Sequence, residues 1–217
     1  MWSRNGLIIM LMKILIVAAT SFEIQPLLNA QILPYPIDTL ITGVGMTQTA
    51  YTLGKHLALN SYDLIINLGI AGSFDRNLKI GEVVEVTEDR FAELGAEDGE
   101  SFLSIEDLGF GVSVFRPIPF DNPPFYPPLL KKVNAITVNK VHGHEPNIAK
   151  LKNQHPDVDL ESMEGAAVFL AANGQQIPSI QIRAISNYVE QRNRESWDIP
   201  LAIKNLNTVV LEWLSPL

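Results

Sequence analysis

Near the start of the chain, Lys13-Ile-Leu-Ile-Val-Ala-Ala19 is almost continuously apolar and ends in small side chains. So short and Ile/Val-rich a run has no polar face to offer water, so it predicts a strand covered on both sides. Similar runs recur at Asp38–Thr42, Leu64–Leu68, Glu82–Thr87, Val133–Asn139 and Ser179–Ile185. Between them, Phe22–Ala30, Thr47–Leu59, Met163–Asn173 and Trp197–Leu214 carry apolar residues at three- and four-residue spacing, and Gly174 stands as a stop after the third. Strands alternating with helices predict an α/β sheet with helices on both faces.

The same first run, extended back to Gly6 and preceded by Arg4, imitates a secretory signal. Lys13 interrupts it, and it is shorter than the roughly 20 residues of a membrane span. The strand is the preferred reading, and cleavage near Ala19 would remove it. Met12-Lys13 resembles a start site, so residues 1–12 are read as an N-terminal extension and 13–217 as one domain. From Gly81 to Asn139 the chain is strand-rich, and six of the 14 prolines fall between Pro117 and Pro128. That stretch reads as an irregular surface loop, long enough to serve as a lid.

Composition narrows the function. With no cysteine there is no disulfide framework, thiolate metal site or cysteine nucleophile. Sixteen basic against 24 acidic residues give a net charge of −8, which argues against nucleic-acid binding and favours a small ligand. A cytoplasmic protein without membrane attachment is expected.

Two glycine pairs follow strand-like runs: Thr42-Gly43-Val44-Gly45-Met46 and Asn67-Leu68-Gly69-Ile70-Ala71-Gly72-Ser73. Glycine admits a ligand close to the backbone at the carboxyl ends of strands. The third glycine of a dinucleotide fingerprint is missing, with Gln48 in its place, and so is a Walker lysine. Tight turns without a ligand explain the pairs equally well. Glu164 is more telling: it sits amid Met163, Gly165, Ala166 and Ala167, where an unpartnered carboxylate is costly to bury. Glu23 follows the first strand and Asn187 closes the run Gln181–Ser186. A solvated first-turn residue and a turn residue are the plainer readings of those two.

In order and spacing, Lys13-Ile-Leu-Ile-Val-Ala-Ala-Thr-Ser-Phe-Glu23, Thr42-Gly-Val-Gly45, Asn67-Leu-Gly69-Ile-Ala71-Gly72, Glu161-Ser-Met163-Glu164-Gly-Ala-Ala and Ile182-Arg-Ala-Ile-Ser186-Asn187 resemble the successive motifs of the nucleoside phosphorylase and nucleosidase superfamily. The resemblance runs from Lys13 to about Leu214. It implies a three-layer αβα domain around a central mixed sheet, a purine nucleoside substrate and cleavage of its N-glycosidic bond. Asn67-Leu68 stands where phosphorylases carry a phosphate-binding arginine, which implies water rather than phosphate as nucleophile. By the same resemblance Glu23 activates the water, Glu164 holds the ribose hydroxyls with Met163 against the sugar, and Gly45, Gly69, Ala71, Gly72 and Ser186 line the nucleoside site. Asn187 stands where nucleosidases of 6-aminopurines carry Asp. An amide donates to both N7 and a 6-oxo oxygen, so it suits hypoxanthine better than adenine.

Within the superfamily, Thr87-Glu-Asp-Arg90-Phe91-Ala-Glu93-Leu-Gly-Ala-Glu97-Asp98-Gly99 and Ser186-Asn-Tyr-Val-Glu190-Gln-Arg192-Asn-Arg194, closed by Trp197, are similar to segments of the futalosine hydrolase family, with Glu93 in place of its Asp. That family's substrate is an inosine-like nucleoside with a carboxyphenyl-ketone arm. An aromatic carboxylate calls for an apolar wall and a cation. Arg90 with Phe91, and Arg192 or Arg194 with Trp197, are the candidates, against the plainer reading that these arginines pair with neighbours such as Glu88 or Glu195. His142 and His144 are candidate lining of the base pocket by resemblance. No metal or cofactor is implied, and a homo-oligomer is. A methylthioadenosine/S-adenosylhomocysteine or aminodeoxyfutalosine nucleosidase, and a nucleoside-binding protein without turnover, remain the competing readings.

Overall fold

The computed structural model describes residues 12–30, 36–120 and 128–215. Residues 1–11 of the expected extension and most of the proline-rich segment, including any lid, lie outside the described residues.

In chain order β1 (Ile14–Ala18) is followed by a 3-10 turn (Ser21–Ile24), the single-turn α1 (Gln25–Leu28), β2 (Ile37–Ile41), α2 (Met46–Leu57), β3 (Leu64–Ser73) and β4 (Val83–Phe91). Then come a hairpin of β5 (Gly95–Asp98) and β6 (Ser101–Ser104), the short β7 (Val114–Phe115), β8 (Lys131–Thr137) and α3 (Glu145–Gln154). The chain closes with β9 (Leu160–Ser162), α4 (Gly165–Gly174), β10 (Ser179–Tyr188), a 3-10 turn (Arg194–Ser196) and α5 (Ile199–Leu214).

β1 is buried at every position, between β2 and β3 and parallel to both. Its alternating side chains feed two cores, as the period of two in a strand requires. Ile14, Ile16 and Ala18 pack with Leu64, Ile66 and Leu68 against Ala202, Leu206 and Val210 of α5. Leu15 and Val17 face the other way, onto Leu53 and Leu57 of α2 and Val168 and Ala172 of α4. Each buried Ile, Leu or Val there contributes about 1.5–3 kcal/mol. The strand is therefore the spine of the sandwich of helices.

The sheet runs β10-β4-β8-β9-β3-β1-β2, and β10 also pairs with β3, so β3, β10, β4, β8 and β9 close into a ring. It is mixed: β10 runs antiparallel to β4 and β9 antiparallel to β3, while β8 is parallel to both β4 and β9. Val84, Val86, Val133 and Ala135 pack with Ala166 and Phe169 of α4 in a third cluster.

Two expectations are corrected, and one helix stands where none was expected. Gly69–Gly72 is not a turn after a strand but the continuation of β3, because β10 and β9 keep pairing with that strand as far as Ser73. Residues 22–30 do not form one helix; the 3-10 turn ends where Pro26, which lacks an N–H, opens α1. α3 was missed because only Leu151 along it is buried, which leaves almost no apolar periodicity to read.

Candidate active site

A cavity of about 490 Å³ opens beyond the carboxyl ends of β1, β3 and β10, within the range of small-molecule sites. Glu23, Ala71, Gly72, Met163, Glu164, Ser186 and Asn187 all line it.

Glu23 is placed by the tight turn after β1. Its Oε2 accepts from the Thr20 N–H and hydroxyl, both at 3.0 Å, and its Oε1 accepts from the Ile70 N–H at 3.2 Å. From behind, Asn207 of α5 donates to the Glu23 carbonyl at 2.8 Å and accepts from the Leu27 N–H at 3.2 Å. The carboxylate is thus held by three donors and only 9% exposed, with the cavity at its open side.

Glu164 precedes the first residue of α4. Its Oε1 accepts from the Gly45 N–H at 2.9 Å, and Gly45 adopts φ +96°, a conformation that L side chains avoid. The glycine after β2 therefore shapes the turn that steadies the second carboxylate. Burial pushes the Glu164 carboxyl above its ordinary value, opposed by that N–H and by the charge of Arg183.

Arg183 gave no signal in sequence, because in Gln181-Ile-Arg-Ala it reads as one polar residue of an alternating strand. It is 2% exposed and lies beneath the site: it donates to Asn67 Oδ1 and, at 3.2 Å, to the Ile182 carbonyl. Burial lowers its pKa, and the charges of Glu164, Asp89 and Glu23 oppose that. A guanidinium balanced by three carboxylates fixes the field at the cavity floor. Gly69 makes room for the arrangement, since a Cβ there would stand 3.0 Å from Glu23 Oε1 and 3.4 Å from Arg183 Nη1.

At the other end, Asn187 Nδ2 donates to the Tyr188 carbonyl at 2.9 Å, which fixes the orientation of the amide and leaves one N–H for a ligand. The Ser186 hydroxyl stands 2.8 Å from Asn187 Oδ1 and 3.2 Å from the Ala71 carbonyl, so its single proton serves the shorter contact. Gly72 leaves space here too, with a Cβ falling 3.2 Å from Asn187 Nδ2.

The candidates for the arm separate clearly. Arg192 and Trp197 both line the cavity, with the guanidinium 5.2 Å from the indole centroid. Arg90 is elsewhere: it pairs with Glu88 and, at 2.8 Å, with Asp157, so its charge is already matched. Phe91 packs edge-on against Phe115 at 5.5 Å and faces a separate hollow beside Met46 and Leu94. Arg194 is exposed on its 3-10 turn and does not line the cavity. His142 lines the cavity, whereas His144 is exposed at the start of α3.

Residues 36–214 match the Phosphorylase superfamily. The chain is 33% identical over 192 residues to a futalosine hydrolase of Streptomyces coelicolor, covering 86% of this chain and 82% of that one. A 5′-methylthioadenosine/S-adenosylhomocysteine nucleosidase of Glaesserella parasuis is 27% identical over 82% of this chain and 80% of its own. Among solved structures, the 5′-methylthioadenosine/S-adenosylhomocysteine nucleosidase of Neisseria meningitidis superposes with a TM-score of 0.76 at 17% identity, over 95% of this chain and all of the other, which shows the shared fold. Two carboxylates and an amide are thus gathered at one end of a nucleosidase-type mixed sheet, and the chain is an N-glycosyl hydrolase of the phosphorylase superfamily.

Proposed function

We propose that the protein hydrolyses the N-glycosidic bond of futalosine, releasing hypoxanthine and dehypoxanthine futalosine, a step of menaquinone biosynthesis. The observation that carries the choice of base is the held amide of Asn187, which offers an N–H at the base end of the cavity. That one N–H serves N7 or O6 of a 6-oxopurine rather than both as expected, and a neutral amide cannot supply the acid that a 6-aminopurine draws from Asp at this place.

Glu23 takes the proton of the attacking water, a role that its anchored carboxylate and position on the cavity wall support. Glu164 accepts from the ribose hydroxyls and, with Glu23, offsets the positive charge of an oxocarbenium-like transition state. Met163 packs on the sugar, and Gly45, Gly69, Ala71, Gly72 and Ser186 keep the pocket open and oriented. Arg192 over Trp197 receives the carboxyphenyl arm, a cation beside an apolar plane.

The second reading is a nucleosidase of 6-aminopurine substrates, supported by the relatives of that name. Incubation with futalosine, aminodeoxyfutalosine, methylthioadenosine and inosine, with and without phosphate, decides between them by the base released. Hypoxanthine from futalosine, independent of phosphate and far ahead of adenine release in kcat/KM, is the expected result. Adenine preference, or dependence on phosphate, overturns it.

A further inference from the structure

The segment after β8 brings Val141, His142 and Gly143 to the cavity, and Gly143 packs beside the backbone of Glu190 and Arg192 that follows Asn187. His142 is held from below by Glu161 of β9, three residues before Glu164. Glu161 Oε1 accepts from the His142 N–H at 2.8 Å, and Oε2 meets the His142 Nδ1. The Glu161 side chain is 3% exposed and the His142 side chain 9%. With Nδ1 engaged, Nε2 is the ring nitrogen left for a ligand. A buried carboxylate on one nitrogen of a cavity-lining imidazole orients the ring and stabilises its protonated form, in which the other nitrogen carries a proton and the ring a positive charge.

We propose that His142 is a second hydrogen-bond donor to the departing purine, its imidazolium Nε2–H offsetting the negative charge that builds on the base as the C1′–N9 bond breaks. The proposal rests on the nucleosidase reading above. It meets a need that Asn187 leaves open, because an amide donates a hydrogen bond but brings no charge to a leaving anion. Of the cations lining the cavity among the described residues, Arg192 is engaged over Trp197, which leaves His142 as the cation for the leaving base.

The surroundings favour the charged ring. Glu161 raises the His142 pKa above 6.5 against the effect of burial; Glu93 adds to the rise and Lys140 opposes it. Glu190 and Arg192 line the same cavity with opposite charges, and Glu97 and Lys150, which line a neighbouring hollow with His142, pair with each other at 3.5 Å. A raised histidine pKa means that the cation is present at low pH and lost as pH rises through the folded value, so kcat carries an alkaline limb.

The test compares wild type, His142→Asn and Glu161→Gln across pH on inosine or futalosine and on p-nitrophenyl β-D-ribofuranoside, whose nitrophenolate leaves without a partner. His142→Asn is expected to lower the ratio of purine to nitrophenolate release about 100-fold and to abolish the alkaline limb. Glu161→Gln, which keeps the shape of the side chain, is expected to move that limb to lower pH. If wild type cleaves but His142→Asn loses both substrates equally, or if Glu161→Gln leaves the limb in place, the proposal is overturned and the nucleosidase reading stands. A wild type that releases neither purine nor nitrophenolate overturns both.

Discussion

Asp89 is a residue whose ionisation bears on stability. It is fully buried on β4, with Oδ1 accepting from the Thr137 hydroxyl at 2.9 Å and Oδ2 from Gln181 Nε2 at 2.8 Å. Burial pushes its carboxyl up to about 6, although Gln181, Thr137 and Arg183 pull the other way. An aspartate in the unfolded chain titrates near 3.8, so the native state holds more protons between those two values. Stability therefore falls as pH rises from about 4 to about 6 and is flat above, a contribution on the order of 2–3 kcal/mol. Asp89→Asn is expected to lack that decline in urea unfolding followed at pH 4, 5, 6 and 7, and parallel curves for the two proteins would refute the assignment. In sequence, Asp89 was one acid among several in Thr87-Glu-Asp-Arg90. Glu164 was legible because its neighbours are Met, Gly and Ala, and Glu23 and Asn187 only through motif order. Burial of a polar residue on an alternating strand depends on what closes over it, and local sequence does not carry that.

At the scale of elements, the entry into α4 ties Asp89 to Glu164. A Cβ on Gly165 would fall 2.0 Å from Asp89 Oδ2 and 2.3 Å from Gln181 Nε2, and both side chains are buried with nowhere to move. Gly165→Ala must therefore lift the first turn of α4 and carry Glu164 away from the Gly45 N–H. The expected cost is about 1–3 kcal/mol, a fall in Tm of roughly 3–10 °C, together with a loss of kcat/KM. Gly174→Ala, at the other end of the same helix, meets nothing within 4 Å and serves as the contrast. Thermal melts and initial rates that do not distinguish the two variants would count against the close-packed entry. The strand-helix alternation that predicted this helix was readable because its faces are nearly all apolar. The ring closure of β10 onto β3 was not, since pairing between strands more than 100 residues apart leaves no trace in either one. That closure is what turns Gly69 and Gly72 from turn residues into the low floor beneath Glu23 and Asn187.

For the whole molecule, the net charge of −8 sets a field that the carboxylate-bearing substrate proposed above would have to enter. The cavity itself adds Glu23, Glu161, Glu164 and Glu190, with His142 and Arg192 as its lining cations. Field lines concentrate in a low-dielectric cleft, so an anionic nucleoside is repelled over a distance set by the Debye length, about 30 Å at 0.01 M salt and 8 Å at 0.15 M. Screening should therefore raise kcat/KM for futalosine about two- to threefold between those salt concentrations, while neutral inosine shows no such trend. In the role proposed for it, Arg192 works against the field at short range. Arg192→Met should raise KM for futalosine about three- to tenfold and leave that for inosine unchanged, since only the arm carries the charge that the guanidinium answers. Steady-state kinetics of both substrates on both proteins at the two salt concentrations separate the terms. An equal rise in KM for inosine would mean that Arg192 shapes the cavity rather than reads the arm, and a salt response shared by both substrates would remove the role assigned to net charge.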